Sequence, residues 1–228
     1  MPARSLFITG TDTGVGKTLA STALLRWARA QGLAAAGFKP VAAGCERVDG
    51  AWRNDDALRL QAESTGAPPY EQVNPCALPD AVAPHLAAQS AGTRIDIAAL
   101  DAAHARLSAS VQLLVIEGAG GWRVPLDEHG DFADWVTARG WPVVLVVGLR
   151  LGCLNHALLS AESIARGAPL AGWIANVLPP EQPRWQDNLE TLRRRLPAPL
   201  LGCIPMGADI ATAAAALDSE ATRRLLRA

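Results

Sequence analysis

The sequence predicts an α/β fold in which a mostly parallel sheet carries helices on both faces. Short apolar runs alternate along the chain with segments of helical character, an arrangement typical of α/β domains. The apolar runs are continuous and are not interrupted by polar residues at every second position, which indicates strands buried on both faces. In folds of this kind the carboxyl ends of the strands share one edge of the sheet, and ligands bind there.

Six apolar runs are predicted to form the strands. In chain order they are Leu6–Thr9, Ala35–Lys39, Val111–Ile116, Pro142–Val147, Leu170–Val177 and Leu200–Ile204. Pro40 should end the second strand, because proline has no N–H to donate to a neighbouring strand.

Helices are predicted between these strands and after the last one. Five segments have clear bounds: Leu19–Ala30, Asp55–Glu63, Ile95–Ser108, Phe132–Arg139 and Asn155–Arg166. One more helix is expected between the last two strands and another after the last strand. Asn54 is a favourable cap for the second helix. Five prolines between Ala67 and Pro84 predict a long ordered loop, and such loops are often functional.

Composition limits the possible functions. The chain has 228 residues, 50% of them hydrophobic, which suits a single domain over residues 1–228 with a sizeable core. Its net charge of −1 and the lack of an extended basic run argue against nucleic-acid binding. With no charged leader followed by an apolar segment, and no apolar run of membrane-spanning length, we expect a cytoplasmic protein without a membrane partner. The four cysteines form no C-x-x-C pair and suggest neither a zinc site nor a disulfide framework.

The first predicted strand leads into a glycine-rich loop, Gly10–Thr18, with the sequence GTDTGVGKT. In such a loop, backbone N–H groups turn toward an anion, and the following helix adds the positive end of its dipole. Lys17 can reach the terminal phosphates of a nucleotide, and the Thr18 hydroxyl can bind Mg²⁺. Thr11 stands where the usual pattern has its first glycine, so this is a variant P-loop, and it predicts a P-loop NTPase-like fold. The alternative is a strand-to-helix turn that uses glycine only for its geometry.

Polar or glycine-rich segments follow the other predicted strands, and we expect them to meet the loop at one edge of the sheet. Glu117 comes directly after the third strand, where P-loop proteins usually place an acidic residue near the metal. Gly118–Gly121 follow it and would let a ligand approach the backbone closely. A solvent-facing acid is the alternative interpretation of Glu117.

Lys39 and two aspartates are further candidates. Lys39 ends the second strand, and with Lys17 it would aim two positive charges at a transferring phosphoryl group. Asp55 and Asp56 follow the Asn54 cap, where the helix dipole alone already favours acidic residues. Sequence chemistry leaves their role open between helix stabilisation and metal binding.

A series of motifs, taken in order, resembles the dethiobiotin synthetase family. They are GTDTGVGKT at Gly10–Thr18, Lys39-Pro40-Val41 with Gly44, Arg53–Asp56, Val73-Asn74-Pro75, Pro84-His85, Glu117–Gly121, Phe132–Trp135 and Leu151–His156. The similarity runs from about Ser5 to Pro205, and the combined set is far more specific than a P-loop alone.

This resemblance implies a homodimeric ligase of biotin biosynthesis that uses ATP, Mg²⁺, CO₂ and 7,8-diaminopelargonate. In the family, one amine of the diamine takes up CO₂ as a carbamate, which ATP then phosphorylates. The other amine displaces phosphate and closes the cyclic urea of dethiobiotin.

The resemblance also implies roles for individual residues. Lys39 and Lys17 would be catalytic, and Thr18, Asp56 and Glu117 would surround Mg²⁺. The residues implied to bind ATP are Gly14, Val15, Gly16, Lys17, Thr18, Leu19, Asp56, Glu117, Gly118, Ala119, Gly120, Asn176, Pro205, Met206 and Gly207. Those implied to bind the diamine are Lys39, Ala43, Gly152, Cys153, Leu154 and Asn155, of which the last four would capture its carboxylate from the partner chain.

Ala43 departs from the family pattern. The family usually has Ser or Thr at this position, two residues after the Lys-Pro-Val motif, and its hydroxyl contacts the substrate. A lost neutral hydrogen bond is worth about 0.5–1.5 kcal/mol. We therefore expect a weaker or water-bridged substrate contact with activity retained. Residues 209–228 also match the family poorly.

Two other kinds of protein that carry a P-loop are the alternatives. A P-loop amidotransferase of the cobyric-acid type has a similar loop but needs a glutaminase domain, for which 228 residues leave no room. A non-catalytic nucleotide switch would have no use for Lys39 or for the loop before Asn155.

Overall fold

The computed structural model describes residues 3–227. Its strands are Arg4–Gly10 (β1), Ala35–Phe38 (β2), Val41–Ala42 (β3), Glu46–Val48 (β4), Ala51–Arg53 (β5), Cys76–Ala77 (β6), Leu113–Gly121 (β7), Val143–Leu149 (β8), Leu170–Val177 (β9) and Leu200–Ile204 (β10). Its helices are Lys17–Ala30 (α1), Asp55–Ala62 (α2), Tyr70–Val73 (α3), Pro84–Ser90 (α4), Ile97–Ser108 (α5), Phe132–Thr137 (α6), Cys153–Ala165 (α7), Trp185–Arg195 (α8), Ile210–Ala216 (α9) and Glu220–Arg227 (α10).

Six strands form the central sheet, in the order β10-β9-β8-β1-β7-β2. Every neighbouring pair in it is parallel. Two small pairs lie apart from it: β3 with β6, which is parallel, and the antiparallel hairpin of β4 and β5. The predicted parallel α/β sheet is confirmed.

Hydrophobic cores lie on both faces of the sheet, because successive strand residues point to opposite sides. Phe7 of β1 packs in the core that includes Leu100 of α5 and Phe132 of α6. Its neighbours Leu6 and Ile8 belong to the other core, which contains residues of α1, α2, α9 and α10. Each fully buried side chain of this kind contributes roughly 1.5–3 kcal/mol, so the strands hold the sheet's binding edge rigidly from both sides.

The segment from residue 67 to 84 differs from the prediction. It is not an uninterrupted loop, because it contains α3 and β6, and α4 begins at its last residue. Pro69 lies at the cap of α3, and Pro84 lies in the first turn of α4. Proline suits these positions, since the first N–H groups of a helix have no helical partner. Two of the five prolines in this segment therefore mark helix starts.

Smaller differences concern element ends. α1 begins at Lys17 and α7 at Cys153, each two residues before the predicted start. β7 continues to Gly121, so Glu117 lies within the strand and not beyond its end. The terminal helical region is divided between α9 and α10. Among the described residues, no helix is both long and apolar enough to cross a lipid bilayer.

Candidate active site

A cleft of about 740 Å³ opens at the carboxyl edge of the sheet, between the phosphate loop and α2. It brings together the loop after β1, the end of β2, the start of α2, the β7 glycines and the segment before α4. Its lining includes Thr13, Gly14, Gly16, Lys17, Thr18, Leu19, Lys39, Ala43, Asn54, Asp56, Arg59, Val82, Pro84, Ala119 and Gly120. The predicted convergence of strand ends is therefore confirmed for the phosphate loop, β2 and β7.

The loop between β1 and α1 has the backbone shape of an anion cradle. Gly16 caps α1 in the left-handed region, with φ of 90°, and without a side-chain hydrogen bond. A Cβ atom at this position would lie 2.1 Å from the Asn176 amide nitrogen, so a larger residue would clash. Asn176 donates to the Val15 carbonyl at 3.0 Å and holds the loop against the end of β9. The N–H groups at the start of α1 are thus left facing the cleft for a ligand.

Lys39 lies at the centre of the charged cluster. Its Nζ donates to Glu117 Oε1 at 2.6 Å, to Asp56 Oδ2 at 3.1 Å and to the Gly118 carbonyl at 3.4 Å. Thr18 Oγ1 donates to the same Glu117 oxygen at 2.9 Å. Lys39 therefore joins a fully buried carboxylate to a half-exposed one at the wall of the cleft.

Electrostatics keeps Lys39 and Asp56 charged. Burial alone would lower the pKa of Lys39, but the charges of Glu117 and Asp56 and the hydrogen bonds that Lys39 donates to them together outweigh it and raise that pKa above its usual value. Burial would likewise raise the pKa of Asp56, but the Lys39 charge, hydrogen bonds from Thr18 and Lys39, and the Lys17 charge together outweigh it and lower that pKa. At neutral pH both Lys39 and Asp56 are therefore ionised.

Lys17 has a different environment. Its Nζ donates to the Asp12 carbonyl at 3.1 Å, and its side chain has no carboxylate within 4.0 Å among the described residues. Burial and the nearby Lys39 charge lower its pKa from 10.5 to about 8. Lys17 is thus a largely buried cation whose charged form the site disfavours. Lys17 and Lys39 are the two lysines of the sequence, and both line this cleft.

The donor set of the cleft suits Mg²⁺. Thr18 and Asp56 line the cleft and supply hard oxygen atoms, whereas Glu117 is not part of the lining and lies fully buried behind Lys39 and Thr18. Its Oε2 has no hydrogen-bond partner among the described residues. The described residues hold no group of three His, Cys, Asp or Glu side chains placed to bind a metal. Mg²⁺ commonly uses one or two carboxylates, several waters and substrate phosphates, so a smaller protein donor set fits this ion.

Local structure explains why Asp56, and not Asp55, reaches the cleft. Asn54 Oδ1 caps α2 by accepting from the N–H groups of Asp56 and Ala57 at 3.1 and 3.3 Å. Asp56 then lies in the first helical turn beside Lys39, whereas Asp55 is exposed and is not part of the cleft lining. The rotation of this helix therefore brings Asp56 to the cleft and leaves Asp55 outside it.

The residues expected to contact the nucleotide base lie at neighbouring strand ends. Asn176 of β9 is opposite Ile204 of β10, so Pro205, Met206 and Gly207 follow directly beyond it. Met206 is 43% exposed. Within the described chain, these residues do not line the cleft itself. Asn176 contacts the phosphate loop from the end of β9, and Pro205–Gly207 follow the neighbouring strand β10.

The segment Gly152–Asn155 begins α7, where Gly152 is the cap and Asn155 is exposed. None of these four described residues lines the cleft of their own chain. The adjoining Arg150 and Leu151 instead line a second groove, of about 870 Å³, that reaches the phosphate loop at Gly14. Leu151 is 89% exposed at the rim of this groove.

Sequence reasoning missed some residues of the cleft. Arg59 lines it one helical turn after Asp56, a spacing that places both on neighbouring positions of one helix face. Ala81, Val82 and Ala83 also line it, at the end of the proline-rich segment that was expected to be functional. Helical spacing from Asp56 would have indicated Arg59, but no sequence signal singles out the three small apolar residues.

Comparison with known proteins identifies the family. A family model described as an AAA domain matches residues 4–214. An ATP-dependent dethiobiotin synthetase of Aromatoleum aromaticum is 51% identical over 217 residues, which cover 94% of this chain and 96% of that protein. The chain belongs to the dethiobiotin synthetase family. Another synthetase, from Pseudomonas paraeruginosa, is 52% identical over 218 residues and covers 95% of each protein.

Solved structures that resemble this family member agree on the fold. The Signal Recognition Particle 54 kDa protein of Aeropyrum pernix K1, in complex with GDP, superposes with a TM-score of 0.56 at 16% identity. The signal recognition particle receptor of Elizabethkingia anophelis gives 0.55 at 12% identity. The chain spans 47% and 64% of the lengths of these two proteins. At such identities the likeness shows the P-loop NTPase-like fold alone.

Proposed function

We propose that the protein is an ATP- and Mg²⁺-dependent ligase that closes the ureido ring of dethiobiotin from 7,8-diaminopelargonate and CO₂. The observation that carries this proposal is the position of Lys39. Its ammonium lies beside the phosphate loop and within hydrogen-bond distance of both Glu117 and Asp56. Family membership and the cleft's oxygen donors support the same activity. Such a biosynthetic enzyme would act in the cytoplasm, where ATP is available.

ATP would bind with its phosphates on the loop from Gly14 to Leu19. The free N–H groups at the start of α1 would hold the β- and γ-phosphates, and Lys17 would move from the Asp12 carbonyl to the phosphate oxygens. Gly118–Gly120 would approach from β7. Asn176 and Pro205–Gly207 would contact the adenine. Thr18, Asp56 and Glu117 would hold Mg²⁺, which when bound supplies charge neutralisation for the phosphates.

Lys39 would stabilise the reacting groups directly. A carbamate forms when one amine of the diamine bonds to the carbon of CO₂ and releases a proton. A carbamate oxygen then bonds to the γ-phosphorus as ADP leaves. The second amine bonds to the carbamate carbon as the C–O bond to phosphate breaks, phosphate leaves and the amine releases a proton. The negative charge on the carbamate and on the transferring phosphoryl group lies next to the Lys39 ammonium in this arrangement. Positive charge prearranged in a site protected from water is worth several kcal/mol to such a step.

The diamine would extend from Lys39 past Ala43 toward a second protomer. Within one chain, Gly152–Asn155 lie away from the cleft. We therefore propose a homodimer in which the start of α7 of one protomer binds the substrate carboxylate held by the other.

Reconstitution tests the activity. The purified protein should convert diaminopelargonate, bicarbonate, ATP and Mg²⁺ to dethiobiotin, with one ADP and one phosphate for each product, as measured by mass spectrometry and coupled assays. Omission of any one component should stop product formation, and Lys39→Ala should abolish it. ATP hydrolysis that is independent of the diamine, without dethiobiotin, would favour a nucleotide switch.

A further inference from the structure

A buried hydrogen-bond network outside the cleft joins the two segments that carry Lys39 and Asp56. Its central residues, Tyr70 of α3 and Asn74 just after it, are 6% and 3% exposed. Neither residue lines the cleft, and the ligand contacts proposed above do not use either of them. Both come from the proline-rich segment.

The network holds Lys39 through its backbone. The Lys39 N–H donates to the Val73 carbonyl at 2.8 Å, and the Lys39 carbonyl accepts from Asn74 Nδ2 at 2.7 Å. Both main-chain groups of Lys39 are therefore bonded to the same short segment. Since β2 ends at Phe38, these bonds replace strand pairing at the residue from which the ammonium projects.

The network also holds the start of α2. Asn54, which caps the helix above Asp56, donates its backbone N–H to Tyr70 Oη at 2.8 Å. The Tyr70 hydroxyl in turn donates to Asn74 Oδ1 at 2.9 Å. One phenol oxygen thus joins the cap of α2 to the amide that holds Lys39.

Every polar group in this connection has a partner. The Tyr70 hydroxyl accepts one hydrogen bond and donates one, and Asn74 accepts from Tyr70 and donates to the carbonyls of Lys39 and Cys76. The bonding pattern fixes the orientation of the amide, because its NH₂ faces two carbonyl oxygens. The Arg53 guanidinium lies 4.2 Å from the centre of the Tyr70 ring and covers it from outside. Satisfied buried networks of this kind make a local geometry rigid.

We propose that Tyr70 and Asn74 are positioning residues that set the distance between the Lys39 ammonium and the Asp56 carboxylate. They act on the backbones that carry these groups, and so on the contacts of Lys39 with the phosphoryl group and of Asp56 with Mg²⁺. The proposal rests on the function proposed above. Misplacement of a reacting group by about 1 Å can cost about 100-fold in rate.

The test uses Tyr70→Phe, which removes one oxygen atom and keeps the ring under Arg53. Its matched control is Thr222→Val, which also removes one buried hydroxyl. That hydroxyl donates to the Leu201 carbonyl at 3.3 Å and lies 3.1 Å from Ser219 Oγ, and, like Tyr70, it therefore has two hydrogen-bond partners. None of these three residues lines the cleft. Thermal denaturation of both variants establishes a temperature at which each is folded.

Steady-state kinetics and binding of a fluorescent ATP analogue are then measured over a range of Mg²⁺ concentrations. We expect Tyr70→Phe to lower kcat by about 10- to 100-fold and to raise the Mg²⁺ concentration needed for half-maximal rate and half-maximal nucleotide binding. The KM for the diamine should change much less. Thr222→Val should keep the wild-type kcat and Mg²⁺ dependence. Tyr70→Phe combined with Asn74→Ala should be no slower than the slower single variant, because both changes break one connection.

Wild-type kcat and Mg²⁺ dependence in Tyr70→Phe would overturn the proposal. Equal losses in Tyr70→Phe and Thr222→Val, in proportion to lost stability, would also overturn it, since they would show a general structural role. If the wild-type protein forms no dethiobiotin, the proposed function is wrong, and the Mg²⁺-dependent nucleotide binding still tests the network.

Discussion

Replacing Lys17 by methionine should inactivate the protein and yet stabilise its fold. Lys17 is 7% exposed, and among the described residues its Nζ has one hydrogen-bond partner, the Asp12 carbonyl. Burial, together with repulsion from Lys39, lowers its pKa from 10.5 to about 8. Lys17 is charged at neutral pH, and the folded state therefore disfavours its charged form relative to the unfolded chain.

The magnitude follows from the two pKa values. Each pH unit between them is worth about 1.4 kcal/mol, so holding Lys17 charged costs the folded protein about 3 kcal/mol. The lost hydrogen bond to Asp12 reduces the gain by roughly 1 kcal/mol. Lys17→Met, which keeps most of the volume, should therefore raise the free energy of unfolding at pH 7 by about 2 kcal/mol.

The pH dependence has a defined sign. Between pH 8 and 10.5 the unfolded chain binds more protons at Lys17 than the folded protein, so wild-type stability from this group rises with pH across that window. The gain of Lys17→Met over wild type in the free energy of unfolding should be largest below pH 8 and should disappear by pH 10.5. Below pH 8 the difference between the two proteins should not depend on pH.

Urea denaturation followed by tryptophan fluorescence, for wild type and Lys17→Met at several pH values from 7 to 10, measures this difference directly. Taking the difference between the two proteins removes the contribution of other titrating groups. A destabilised variant at pH 7, or a stability difference that is constant up to pH 10, would refute the reasoning. The same variant should form no dethiobiotin, because one prearranged charge-stabilising donor is worth about 2.7–4 kcal/mol of transition-state binding.

Three further predictions concern the metal, the subunits and the diamine. Asp56→Asn should raise the Mg²⁺ concentration for half-maximal activity more than the KM for the diamine, whereas Asp55→Asn should not; the reverse order would show that the wrong aspartate has been assigned. Mixing Lys39→Ala chains with Asn155→Glu chains should restore activity after subunit exchange. One site of each heterodimer then has an intact Lys39 from one chain and an intact Asn155 from the other. Activity no greater than the sum of the two variants would place the carboxylate site within one chain. Ala43→Ser should lower the KM for the diamine by about tenfold or less, the effect of one neutral hydrogen bond, and an unchanged KM would show that the position does not contact the substrate.

The strand-borne part of the site was predictable from sequence because parallel strands bring their carboxyl ends to one edge. The orientation of α2 about its own axis was not predicted, although the sequence contains the information needed. Ala57 and Leu60 are the buried residues of α2. At 3.6 residues per turn, Asp56 lies roughly 70° from the middle of that buried stripe and Asp55 roughly 170° from it. The stripe alone would have favoured Asp56.

Other features depend on contacts between distant segments. The bond between Lys39 and Glu117 requires β2 and β7 to be neighbours, which no local pattern specifies. The proline-rich segment was expected to be a loop because proline disfavours helix interiors, whereas here two of its prolines begin helices. Its position beside Lys39 follows from tertiary packing, and local propensity does not indicate it.

The confinement of both lysines to the cleft gives the protein an unusual chemical property. Reagents that acylate primary amines have, apart from the terminal amine, only Lys17 and Lys39 to react with, and these are 7% and 3% exposed. The surface cations are arginines, which such reagents do not modify. The number of labels in an intact-mass spectrum after mild acylation would therefore report access to the cleft. The first label is expected on the terminal amine, and bound nucleotide should suppress the second label, on a cleft lysine. Attachment of the protein to a solid support through lysine would occupy the cleft and should be avoided in binding assays.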